Sequence, residues 1–148
     1  MTTDIPQFIN VFVPGRPAPQ GSKRYFGPGR VVEMSKYLHA WRDDVRSTLM
    51  HRWEGKPPLT GGIDLVLEFV LNRPAGTPKR WTPLAVKRPD FDKLTRGVCD
   101  AITASGVYKD DSQVVRAVIV KRLAEIDEPT GCFIRVQEIP SPTGRKHV

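Results

Sequence analysis

The sequence predicts an α/β chain of the α+β type, a mixed β-sheet of about four strands with two main helices packed on it. Three patterns carry that expectation. Ile63 to Leu71 alternates, with Ile63, Leu65, Leu67, Phe69 and Leu71 on one side and Asp64 and Glu68 on the other, the period of a strand with one buried face. Leu38, Trp41, Val45 and Leu49 recur at helical spacing, and Leu94, Val98, Ala101 and Ile102 mark a second apolar stripe of the same kind. Val114 to Val120 is almost wholly apolar and β-branched, which reads as a central strand.

The remaining elements follow in chain order. Phe8 to Val13 is short, apolar and β-prone, and Pro14 ends it. Gly15 to Arg30 is too rich in glycine and proline for a helix, and Gly27-Pro28-Gly29 reads as a turn. Ser35 is placed to cap a helix starting near Lys36, which Gly55 and Pro57-Pro58 stop. After the alternating strand comes a loop from Asn72 to Pro89 with four prolines and the basic residues Arg73, Lys79, Arg80, Lys87 and Arg88. The second helix runs from about Asp92 to Ala104, and Gly106 stops it. Gly131 to Glu138 is the last strand. Residues 1–139 form one domain, and 140–148 read as a flexible basic tail.

Composition narrows the function classes. The chain of 148 residues carries a net charge of +7, and a basic surface on a small domain attracts polyanions, of which nucleic acid is the commonest. A membrane is not expected as partner, because no apolar run approaches the roughly eighteen residues of a spanning helix. The start of the chain lacks the basic and apolar regions of a secretory signal. Cys99 and Cys132 are far apart and read as small buried hydrophobes, and His39, His51 and His147 make no ligand spacing. Trp41 and Trp53 are expected in the core or at a dimer face. These features suit a cytoplasmic protein with no small-molecule cofactor.

Chemistry concentrates between Arg88 and Gln113, which hold five of the sixteen acidic residues. Asp90 and Asp92 flank Phe91, so an extended backbone turns both the same way. Asp92, Arg96 and Asp100 share one helix face. Asp110 and Asp111 precede the next strand, and a strand packing back on its helix could return them to the helix start. Crowded carboxylates repel unless a cation lies among them. Mg²⁺ binds a few carboxylates, waters and phosphate oxygens, and can both activate water and neutralise charge on a cleaved phosphodiester. Arg96 and Lys93 are candidates for stabilising that charge. A structural reading also exists: Asp-x-Asp before a helix is a common cap, Asp92 and Arg96 a surface ion pair, Asp110-Asp111 a turn.

The stretch RPDFDKLTRGVCDAITASGVYKDDSQVV, about a fifth of the chain, closely resembles the signature of the RusA family of Holliday-junction resolvases. That signature runs basic residue, Asp-x-Asp-Asn-Leu-x-Lys, Asp-Ala-Leu, a glycine turn and Asp-Asp-x-Gln-Val. Here Arg88, Asp90, Asp92, Leu94, Asp100-Ala101-Ile102, Gly106 and Asp110-Asp111-Ser112-Gln113-Val114 stand at those places. The resemblance implies a homodimer that binds four-way DNA junctions and cuts two strands symmetrically with Mg²⁺ or Mn²⁺. It implies that Asp90, Asp92 and Asp111 are metal-binding catalytic aspartates, and that Arg96 takes the place of a catalytic lysine. Lys93 stands where the family has asparagine. An arginine fork does not reproduce a lysine point charge, and Lys93 is the candidate to supply one. Family members are common in bacteriophages and prophages, which implies work inside a bacterial host.

Other basic residues complete the expectation. Lys23, Arg24 and Arg30 bracket Tyr25 and Phe26, an arrangement suited to DNA, though a solvated hairpin fits as well. Arg73, Lys79, Arg80, Lys87 and Arg88 lead directly into the aspartates, where a basic loop would seat phosphate. Two other functions fit the same residues: a DNA-binding accessory protein without catalysis, favoured by Arg96 in place of lysine, and a metal-dependent nuclease acting on DNA other than junctions.

Overall fold

The structure, a computed structural model, describes residues 7–21, 23–25, 31–33 and 37–142, and of these 23–25 and 31–33 as backbone. Strand β1 (Phe8–Pro14) is followed by a short ribbon of β2 (Lys23–Tyr25) and β3 (Val31–Glu33). Then come helix α1 (Leu38–Arg52), strand β4 (Ile63–Leu71), helix α2 (Phe91–Ser105), a 3-10 turn at Asp111–Gln113, and strands β5 (Val114–Leu123) and β6 (Gly131–Glu138). The expected mixed sheet of four strands with two helices is present. Ser35, the Gly27-Pro28-Gly29 turn and most of the C-terminal tail lie outside the described residues. Helix α1 begins at Leu38 rather than near Lys36.

The sheet has the order β1-β6-β4-β5. β6 pairs antiparallel with both β1 and β4, while β4 and β5 are parallel. A parallel pair needs a crossover, and the segment holding α2 supplies it. The alternation of β4 settles its faces: Ile63, Leu65, Leu67 and Phe69 join Ile134 and Val136 of β6 in one core with Trp41, Val45 and Leu49 of α1 and Leu94, Val98 and Ile102 of α2. Trp41 and Trp53 are both buried there, the indole of Trp53 donating to the Pro57 carbonyl at 2.9 Å. Cys99 and Cys132 are buried free thiols, as expected. Truncating a fully buried side chain such as Leu94 to alanine would cost about 2–5 kcal/mol. Gly106 ends α2 in the left-handed conformation, φ 86°. Gly131 is enforced by close approach: a Cβ there would lie 2.2 Å from the Val13 carbonyl oxygen.

One expectation is corrected. β5 is an edge strand, not a central one. Its apolar run reads as two-sided burial, but only the side facing α2 is covered; Ile119 and Leu123 pack on the core, whereas Val115, Val118 and Val120 stay exposed. Composition reports how apolar a strand is, not which strand lies beside it. The interior place goes to β6, the last strand, which enters between β1 and β4.

Candidate active site

Asp90 is the residue before the first turn of α2, with extended backbone (φ −71°, ψ 143°) and its carbonyl accepting the N–H of Leu94 at 3.1 Å. Its side chain makes no capping hydrogen bond. Asp90 and Asp92 are exposed, and neither carboxylate has an ion pair or hydrogen bond among the described residues. The structural reading of Asp-x-Asp as a cap is therefore not realised. Two free carboxylates instead stand at the positive end of a helix dipole.

The next turns of α2 carry Lys93, half-buried, and Arg96, exposed, both without an ion pair among the described residues. The Asp92–Arg96 surface pair of the structural reading is absent among the described residues. The loop after β1 lies along this flank. The Gln20 backbone N–H donates to the Lys93 carbonyl at 3.0 Å, and its side-chain amide donates to Asp100. A Cβ on Gly21 would sit 3.3 Å from Nη1 of Arg96, so glycine leaves room for that guanidinium. Gly97 admits the loop, a Cβ there meeting the Ala18 carbonyl at 3.4 Å.

Asp110 and Asp111 lie past the other end of α2. Asp110 caps the 3-10 turn: its carboxylate accepts from the Ser112 N–H at 2.8 Å, while the Gln113 side chain accepts from the Asp110 N–H at 3.0 Å. Its pKa is held below the ordinary value, chiefly by the hydrogen bond from Ser112. Asp111 is exposed, and its pKa is raised by partial desolvation, by its hydrogen bond with Asp110 and by the charges of Asp110 and Asp100. Cys99 and Tyr108 lie beside it; burial pushes the Cys99 thiol up to about 11 and the Tyr108 hydroxyl well above its usual range.

Eight residues, about 12 Å of helical rise, separate Asp92 from Asp100, the residue whose charge Asp111 feels. β5 runs back along α2, so the side chain that meets the Asp90 segment is Lys121. Its Nζ donates to the carbonyls of Lys87, at 2.6 Å, and Pro89, at 2.9 Å. Among the described residues no group of three or more His, Cys, Asp or Glu side chains is arranged to hold a metal ion.

Of the basic residues, Lys79, Arg80, Lys87 and Arg88 are exposed and their charges unpaired among the described residues. Arg73 differs. Its guanidinium donates to Thr82 Oγ1 at 2.7 Å, to the Ala124 carbonyl at 3.2 Å, to the Trp81 carbonyl at 3.0 Å and to the Pro78 carbonyl, so it organises the loop from within. Trp81, Leu84 and Val86 stand exposed in the same loop. Lys23 and Arg24 belong to the β2–β3 ribbon, but their side chains, and Arg30 altogether, lie outside the described residues. Sequence reasoning gave no role to Gln20, Asp100 or Lys121. The helix-face spacing of Asp100 and the lone lysine in the apolar β5 run were available signals; nothing local marked Gln20.

Mg²⁺ and Mn²⁺ take hard oxygen donors, and Mg²⁺ commonly binds one or two protein carboxylates plus water and phosphate oxygens. Asp90 and Asp92, uncommitted and exposed, fit that donor set. A family model described as endodeoxyribonuclease RusA matches residues 14–137, which takes in every residue of this flank. No curated protein matches the chain.

Proposed function

The chain belongs to the RusA endodeoxyribonuclease family, so it is a DNA-cutting enzyme; from that premise we propose that it resolves four-way DNA junctions as a homodimer, with Mg²⁺ or Mn²⁺, by paired strand cleavage. The observation that carries the reading is the pair of uncommitted carboxylates, Asp90 and Asp92, at the positive end of α2, directly after a loop that carries Lys79, Arg80, Lys87 and Arg88, exposed and unpaired among the described residues. The exposed basic residues seat the phosphate backbone. Asp90 and Asp92 would hold the cation, and Asp111 is the third carboxylate that the family signature contributes. The cation, when bound, activates water and neutralises charge on the scissile phosphate. Arg96 and Lys93, one turn apart on the same helix, stabilise charge developing on the leaving oxygen.

Symmetric resolution needs two cuts, and one site makes one. The tryptophan-bearing helix α1 was an attractive dimer face in sequence, but its Trp41 is buried in the protomer's own core. The uncovered face of the sheet suits a twofold contact better. Phe12 and Phe133 pair there at 4.6 Å, Val118 and Val120 are exposed, and the Arg116–Asp64 and Arg122–Glu68 pairs leave it locally balanced on a chain of net charge +7. Val118→Asp should yield a monomer of 16.6 kDa in light scattering where the wild type gives twice that mass.

A catalytically silent binder is disfavoured, because free Asp90 and Asp92 beside phosphate only weaken binding unless a cation lies between. The deciding experiment incubates the protein with a synthetic four-way junction and a matched linear duplex, each with and without Mg²⁺. Metal-dependent nicking of opposite junction strands, with the duplex intact, is expected. Equal cutting of both substrates would leave a nuclease but overturn junction selectivity; binding without cutting would favour the silent binder.

A further inference from the structure

We propose that Lys121 is a positioning residue for cleavage, the side chain that fixes the turn delivering Asp90. The proposal rests on the reading of Asp90 as a cation-holding residue. Lys121 lies opposite Phe69 in the β4–β5 register and shares its side of β5 with Ile119 and Leu123, which pack on the core. A lysine thus interrupts an apolar side that faces α2. Its ammonium has three donors, and two of them reach the carbonyls of Lys87 and Pro89, on either side of Arg88. The second of these carbonyls belongs to the residue directly before Asp90. No carboxylate pairs with Lys121 among the described residues, so its contacts are to backbone and its charge stays unneutralised.

The consequence for geometry is specific. Asp92 sits within the first turn of α2 and takes its position from the helix. Asp90 precedes the helix, at the end of a segment that is neither helix nor strand from 72 to 90. Downstream it is held by the hydrogen bond from Leu94; upstream the contact that fixes it is Lys121. Without the ammonium, Asp90 and Arg88 shift relative to Asp92, and displacement of a reacting group by about 1 Å can cost about a hundredfold in rate.

The test uses the full chain carrying Lys121→Met, which keeps the aliphatic stem, and Lys121→Arg, which keeps donors and charge. Amide hydrogen exchange at Leu94, whose N–H donates to the Asp90 carbonyl, should speed up in the Met protein by about tenfold or more, while β4 amides stay protected. On a four-way junction, kcat should fall by about tenfold to a hundredfold with KM within about threefold, and half-maximal rate should require more Mg²⁺. Lys121→Arg should restore most of the loss in kcat and exchange. Unchanged exchange at Leu94 would overturn the proposal, as would a loss confined to KM, which marks a phosphate contact. A fall in protection across the whole sheet in both variants, which marks a merely structural lysine, would do the same. If the wild type cuts no junction, the reading of the reaction fails on its own, and local exchange together with Mn²⁺ affinity by titration calorimetry still decides the role of Lys121.

Discussion

Asp110 accepts the backbone N–H of Ser112 at 2.8 Å, and that contact divides it in role from the aspartate beside it. The carboxylate of Asp110 is spent on the turn; that of Asp111 is exposed, with its pKa raised. Asp110→Ala should therefore cost about 1 kcal/mol of stability, the usual loss of a cap, and keep cleavage at saturating Mg²⁺. Asp111→Asn should keep the melting temperature and nearly abolish cleavage. Thermal melts and single-turnover cleavage of both proteins check the division.

Asp92→Asn separates metal chemistry from helix architecture. Among the described residues neither Asp90 nor Asp92 makes a side-chain hydrogen bond that the amide would lose. Stability should change little, junction affinity should hold or rise, and cleavage should fall by at least about a hundredfold. Asp90→Asn should do the same, and the double variant should be no worse than either, because the ligands act as a unit. Near-normal Mg²⁺-dependent cleavage by Asp92→Asn would refute the assignment.

Asp100→Asn should cost much less. Its remaining oxygen can still accept the Gln20 amide, and removing its charge withdraws one of the smaller influences raising the Asp111 pKa, behind desolvation and Asp110. Asp111 then ionises at lower pH, so the acid limb of the pH–rate profile should move to lower pH. A shift to higher pH would show that Asp100 acts on the site in another way.

The basic loop contains two kinds of cation, and substitution should tell them apart. Lys79→Glu with Arg80→Glu should weaken binding alike on every junction sequence and reduce the slope of log affinity against log salt by roughly two. Arg73→Ala should act through stability, since its loss leaves carbonyls of Pro78, Trp81 and Ala124 without their donor. Junction titrations at several salt concentrations and thermal melts distinguish the outcomes.

Arg122 meets Glu128 at two points, Nη1 to Oε1 at 2.7 Å and Nη2 to Oε2 at 2.8 Å, and this guanidinium depresses the Glu128 pKa from 4.5 to about 2. A carboxylate depressed on folding stabilises the fold fully above its unfolded pKa and less as pH falls through the folded one. Stability from this pair should therefore hold above about pH 4.5 and decline towards pH 2. Glu128→Gln should flatten the dependence of melting temperature on pH within that window.

Legibility in the sequence followed physical range. The faces of β4 and both helical stripes were readable because burial writes its period locally, and Gly106 announced the end of α2 through its left-handed φ. The Asp90–Asp92 pair and the motif around it were readable for the same reason. The edge position of β5, the inward turn of Arg73, the grip of Gln20 on α2 and the reach of Lys121 to Pro89 were not. Each depends on segments distant in sequence, and no local pattern encodes a partner that arrives from elsewhere.

The last strand, β6, occupies an interior place in the sheet, between β1 and β4. During synthesis the aspartates, the basic loop and both helices all leave the ribosome before Gly131–Glu138 does. Until then β1 has no neighbour in the sheet, and the core that backs α2 lacks Ile134 and Val136. An unfinished chain thus carries every acidic and basic group of the site but not the scaffold that sets their spacing. The order of translation is itself a safeguard: cutting competence arrives with the final strand.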